Sequence, residues 1–217
     1  MDPIGEPVGH RYEGAPGSGV LREWHAFGLG ITVKAVCASC NNGWMSELES
    51  SAQAVLAPLI LGQDRAVTTV QCKLIVRWFL KTMLMLELAG ARAQRVAPVE
   101  QEAWVRDDAA PTEGVTVWVG AARDLSGVAT AGRGATVRVG EDVVGDGWFF
   151  VIILGRLVLA AFGGPPGYKR PSLSPPLTSA LTRLWPAPPL LVPFPPRVRL
   201  KRSQTPLILE MLSACLV

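Results

Sequence analysis

The residues best suited to chemistry are the two thiols in Val36-Cys37-Ala38-Ser39-Cys40-Asn41-Asn42-Gly43-Trp44-Met45. A Cys-x-x-Cys turn puts both sulfurs on one side of a tight knuckle, separated as two corners of a zinc tetrahedron with bonds of ~2.3 Å. Two further ligands are needed to close such a site. His25 lies upstream of Cys37 and His10 further upstream still, and scattered histidines in Gly-rich surroundings make poor ligands. From spacing alone, two partly buried thiols without metal account for the motif as well as half a zinc site does. A redox-active pair fits less well, because the motif lacks the usual apolar strand followed by a helix that starts at the first Cys.

Other groups carry less. Lys73, Arg77 and Lys81 recur every four residues and share one helical stripe, which reads as a solvated face or as a track for a phosphate backbone. Glu47 and Glu49 fall in the first turns after the knuckle, where the helix dipole favours them without any catalytic role. Trp44 reads as a core anchor at the start of its helix. There is no Walker-type phosphate loop and no Ser-centred elbow, and Ala131-Gly132-Arg133-Gly134 sits between expected strands with no helix after it, which disfavours nucleotide binding.

The string VCASCNNGWMSELE, followed by LAPLILG, resembles the second half of a bacterial HNH-endonuclease-like family in which a C-x-x-C-N-N-G-W-M-S-x-L-E knuckle precedes a helix. The likeness extends loosely over RWFLKT, VWVGAA, FFVIILGRLVL, LTRLWPAPP and PFPP. In that family a first C-x-x-C supplies two more zinc ligands, and a Glu-His or Asp-His pair supplies the general base. This sequence has neither, since His25 follows Trp24 and His10 follows Gly9. The resemblance implies that Cys37 and Cys40 are ligands of an incomplete structural zinc site. It also implies that Asn41 lies beside a catalytic Mg or Mn ion and that Asn42 and Gly43 form the turn into the helix. It implies metal-dependent hydrolysis of double-stranded DNA in the parent family, and an absent or crippled activity in a truncated chain with no evident base. A reading of another class is a non-enzymatic interaction module, whose body after residue 63 docks a protein and whose Pro-rich tail serves as strap or ligand.

The elements that must position these residues follow from composition and periodicity. The 217 residues suffice for one sizeable core with a small appended module, and 49% hydrophobic against 18% charged residues argues for a folded chain. A net charge of +3 permits nucleic-acid binding without arguing for it. Four cysteines, two of them distant at Cys72 and Cys215, are too few for a disulfide scaffold and suit a reducing cytoplasm. The start of the chain shows no secretory signal. The apolar run Cys72–Leu88 carries three cations, and Trp148–Phe162 is split by Gly155-Arg156, so neither is expected to cross a membrane.

Residues 1–20 read as a loose leader, Ile31–Cys37 as a half-buried strand, and Trp44–Leu61 as a helix. Arg65–Thr69 is short and partly β-branched, Val70–Ala89 a long central helix, and Pro98–Arg106 a short one. Val115–Val119, Ala135–Val139, Trp148–Leu154 and Leu157–Phe162 read as strands, the last two as a buried hairpin. From Gly163 onward the prolines predict a connector and an extended surface strap. The expected fold is α+β: a truncated ββα-metal knuckle segment over residues 1–62, then a 63–217 domain with a long helix packed on an antiparallel sheet.

Overall fold

The computed structural model describes residues 8–13, 21–26, 36–89, 100–108, 111, 113–123, 128–139, 141–165, 167–168, 173 and 175–201. The strand expected over Ile31–Cys37, apart from its last two residues, and Cys215 lie outside that set.

The fold is α+β. A seven-stranded sheet runs in the order β2-β1-β5-β6-β7-β4-β8, formed by β1 (Val8–Glu13), β2 (Leu21–Ala26), β4 (Val115–Ala121), β5 (Val128–Val139), β6 (Asp142–Leu154), β7 (Leu157–Gly163) and β8 (Leu181–Trp185). Every pairing is antiparallel except β1 with β5. The knuckle turn α1 (Ala38–Cys40), a wider π-type turn over Asn41–Met45, and α2 (Ser46–Ile60) form one helical run, kinked at Gly43 (φ −97°, ψ −118°). Strand β3 (Arg65–Thr68) leads into the long helix α3 (Thr69–Ala89), and α4 (Glu100–Asp107) and α5 (Pro175–Ala180) are short.

Trp148–Leu154 of β6 and Leu157–Phe162 of β7 are continuously apolar because both faces of the sheet are covered there. On one face Trp148, Phe150, Ile152, Leu157 and Leu159 meet α2 and α3 through Leu59, Ile75, Phe79 and Met83. On the other, Phe149, Val151, Ile153, Val158 and Phe162 lie against Leu177, Ala180, Leu181 and Leu200. The period of two sorts neighbouring residues into different cores. A fully buried Ile or Phe in either contributes roughly 1.5–3 kcal/mol.

The hairpin turns at Gly155-Arg156 as expected, with Leu154 opposite Leu157 and Gly155 at φ +55°. Its tip also serves α2: the Arg156 amide donates to the Ile60 carbonyl at 2.9 Å, satisfying a group that the helix end leaves open. The α3 start is sharper than apolar periodicity suggests. The Thr68 hydroxyl accepts from the Gln71 amide at 3.3 Å, and the Gln71 side chain accepts from the Thr68 amide at 3.0 Å, a reciprocal cap that starts the helix at Thr69, one residue before the expected start.

Three expectations are corrected. The leader contains β1, which pairs with both β2 and β5, so a Gly-rich sequence without periodicity gains its structure from backbone ladders. The segment expected to separate strands at Ala131–Gly134 is the interior of β5, which begins at Val128. The Pro-rich strap is not merely laid on the surface: Leu181–Trp185 is an edge strand on β4, and β9 (Leu191–Phe194) pairs with β3. Pro193 is tolerated because β3-β9 is a two-stranded ribbon in which one side of each strand needs no amide donor, while Val192 and Phe194 are buried in the main core. The expected boundary near residue 62 coincides with the Gly62 turn (φ +71°), and side chains on both sides of it share that core.

Candidate functional site

The knuckle begins at Cys37, whose extended backbone (φ −68°, ψ 152°) caps the helical run. Its sulfur accepts from the Cys40 amide at 3.3 Å and lies 3.2 Å from the Ser39 hydroxyl, and the Asn41 amide donates to the Cys37 carbonyl at 3.0 Å. Cys37 is exposed and Cys40, one turn on, is half-buried. The Cys40 side chain foremost, then Ser39 and the Cys40 amide, lower the Cys37 thiol to about 7, because each stabilises the thiolate. Cys40 is raised by its interaction with Cys37, and Trp44 opposes that shift. The Trp44 indole nitrogen is buried without an aligned hydrogen-bond acceptor, so its effect on the neighbouring sulfur is that of a nearby dipole. A helix does start at the first Cys, contrary to the reason given for setting a redox pair aside; the segment that would supply the preceding strand lies mostly outside the described residues.

Asn41 is exposed, and its side-chain amide donates to the Asn42 side-chain Oδ1 at 3.3 Å. Both asparagines line the head of an open cleft of about 630 Å³ that runs down α2 past Ser46, Glu49 and Leu56 and is walled by Trp78 and Lys81 of α3. Within it Glu49 bridges the helices: one carboxylate oxygen accepts from the Trp78 indole at 2.6 Å, and the other pairs with the Lys81 ammonium. This clamp is more than the dipole role expected for Glu49. The signal was present as a carboxylate next to buried Leu48, facing a Trp and a Lys three residues apart on α3.

The stripe of cations is correspondingly corrected. Lys81 is buried, with 6% exposure. Arg77 is mostly covered: its Nε donates to the Val105 carbonyl at 2.8 Å, its Nη2 to Arg106 at 3.0 Å, and its Nη1 lies 3.0 Å from Asp108. Its guanidinium also stacks over the Trp44 ring, 5.7 Å from the centroid. Lys73 alone of the three is exposed. Arg77 thus caps the end of α4 and holds the knuckle tryptophan, both unforeseen from spacing.

His10 sits opposite Trp24 and His25 opposite Gly9 in the β1-β2 ladder, at one edge of the large sheet. The knuckle lies on the run into α2, which packs on α3, and α3 contacts β8 at the other edge. Among the described residues, no group of three or more His, Cys, Asp or Glu side chains could hold a metal ion. The donor set fits zinc by half: two thiols on one turn, one of them readily ionised. For a hard cation, Asn41 offers a single neutral oxygen at the cleft head. Among the described residues, no helix is long and apolar enough to cross a membrane. No family model matches the chain, and no curated protein or solved structure matches it either.

Proposed function

We propose that this chain is an HNH-endonuclease-like protein. In this reading Cys37 and Cys40 form half of a structural zinc knuckle, Asn41 marks the catalytic-metal side of the cleft, and metal-dependent DNA phosphodiester hydrolysis is the parent activity. The observation that carries the reading is the capped Cys37-x-x-Cys40 turn running directly into Asn41 at the head of an open cleft. Zinc would hold the knuckle closed and fix where Asn41 points. Amide-to-sulfur contact and a lowered thiol pKa prepare Cys37 for a cation. Double-stranded DNA would meet Lys73, the exposed member of the basic stripe; Arg77 and Lys81 shape the site from beneath. Reduced Cys37, Cys40 and Cys72 accord with a cytoplasmic setting.

The same residues argue that hydrolysis is absent or crippled in these 217 residues. No Glu-His or Asp-His pair occurs in the sequence, and general-base help is typically worth ~10²–10⁴-fold. The purified chain is expected to hold less than one zinc, lost on Cys37→Ser, and to leave supercoiled plasmid intact with Mg²⁺ or Mn²⁺. One tightly held zinc per monomer would show that two ligands remain unassigned. Robust nicking that disappears in Asn41→Ala would overturn the inactivity and direct attention to His10 or His25.

The second reading, an interaction module, is favoured by one observation: Val70, Leu190 and Leu191 are 77%, 87% and 57% exposed around the β3-β9 ribbon. Thr69 and Leu190 meet there at 3.4 Å, so these apolar residues form one patch. Sedimentation over a concentration range, comparing wild type with Leu190→Ser, tests whether the patch joins copies of the chain.

A further inference from the structure

A smaller pocket of about 120 Å³ opens between α3, the end of α4 and Trp185 of β8. We propose that it is a binding site for a phosphate group, contacted by Lys73, Arg77 and the Trp104 indole. It goes beyond the zinc-knuckle reading and does not depend on it.

Three observations converge. The first is the donor set: Lys73 and Arg77 stand one turn apart on α3 and both line the pocket, so two cations face one small volume. The second is Trp104, which also lines it, is 5% exposed, and carries an indole N–H with no acceptor. An indole donates only, and a buried donor without an acceptor costs about 1–3 kcal/mol, so an arriving oxyanion supplies what the fold leaves out.

The third is the group now facing Arg77. Asp108 holds Nη1 at 3.0 Å from a backbone with φ +55°, unusual for a residue other than glycine, while its side chain stays 74% exposed. The other two donors of the guanidinium that the fold uses are spent on the carbonyls of Val105 and Arg106. Asp108 therefore acts as an internal carboxylate over the one part of Arg77 that a ligand could take. A solvent-exposed ion pair is easily exchanged for a stronger anion. Phosphate suits the exchange because a guanidinium and an ammonium together match its charge and its several acceptor oxygens. The phosphate could be that of a nucleic-acid backbone or of a small phosphate compound.

The test follows the indole N–H resonance of Trp104, assigned by its loss in Trp104→Phe, during titration of the full chain with inorganic phosphate at constant ionic strength. A saturable shift is expected. Lys73→Ala should weaken binding by about 2–5-fold and Asp108→Asn should tighten it by a similar factor, each the scale of one exposed ion contact. Neither substitution touches the core, so both should fold. A duplex lacking terminal phosphates that moves the same resonance assigns the site to a nucleic-acid backbone. A response to inorganic phosphate and phosphomonoesters alone assigns it to small phosphates. Absence of a saturable shift in both wild type and Asp108→Asn, or identical affinities in all three proteins, would overturn the proposal. Cys37→Ser should leave the titration unchanged, so failure of the zinc reading does not disturb it.

Discussion

Removing Glu49 should destabilise the protein far more than removing Lys81, although the two form one ion pair. Lys81 is 6% exposed, whereas the Glu49 side chain is half-exposed at the cleft wall. In Glu49→Ala the ammonium stays buried without its anion, and the Trp78 N–H loses the acceptor it holds at 2.6 Å. Breaking a fully buried pair from one side costs about 3–5 kcal/mol. Water reaching the cleft through the vacated site reduces that to roughly 2 kcal/mol, and the orphaned indole adds about 1 kcal/mol. The expected loss is about 3 kcal/mol, or a fall in melting temperature of roughly 6–12 °C for a chain of this size.

In Lys81→Met an apolar side chain of similar reach fills the buried position, and Glu49 turns to solvent while keeping the indole. That cost should stay below about 1 kcal/mol. Urea unfolding with a common slope measures both, and Glu49→Ala/Lys81→Met completes the cycle, with the double variant more stable than Glu49→Ala alone. A Glu49→Ala loss under about 0.5 kcal/mol, within the range of ordinary surface substitutions, would refute the clamp. So would a Lys81→Met loss exceeding that of Glu49→Ala.

Cys37 should be alkylated by iodoacetamide at a rate that rises as pH passes about 7 and then levels, because its lowered pKa makes the thiolate dominant above that point. Cys72, buried with its thiol pushed up to about 11, should stay unmodified until the protein unfolds; mass spectrometry of the peptides separates the two. Gly155→Ala should cost about 1–3 kcal/mol by urea unfolding, since the φ of +55° is retained only with strain and an added Cβ would lie 2.6 Å from the Ile60 carbonyl oxygen. Stability unchanged by that substitution would mean that the hairpin tip does not seat on α2.

The legible parts of the fold are those where one physical signal dominates. The periodicity of Trp44–Leu61 and Val70–Ala89 and the runs around Gly155-Arg156 reflect burial, and the structure places α2, α3 and the β6-β7 hairpin there. Signals of another kind were harder to read. Strand β1 and the first half of β5 are built mostly from Gly, Ala and polar residues, and their pairing depends on neighbours remote in sequence. Pro193 argued correctly against an interior strand, and β9 shows that a ribbon with an open side accepts it. At the site, spacing singled out the Cys pair and the family resemblance singled out Asn41, which lies at the cleft head, but a repeat of four residues cannot say which cations are covered. That depends on where α2 and α4 cross α3: Lys81 meets α2, Arg77 meets α4, and only Lys73 lies beyond both.

The same crossing determines how the knuckle is held. On one side Glu49 ties α2 to Trp78 and Lys81; on the other the Arg77 guanidinium lies over Trp44 while its remaining donors grip the end of α4. Cys37, Cys40 and Asn41 sit at the start of the helical run that these two attachments hold, and Met45 and Leu48 bury its underside. Both attachments are made wholly by protein groups, in contrast to small zinc modules whose fold depends on the metal. Loading or removing a metal at the two thiols should therefore change the local environment of Cys37 and Asn41 while leaving the α2-α3 contact in place. A helical run supported in this way keeps its geometry through protein contacts, so on the proposed zinc reading occupancy and folding stability are expected to vary independently.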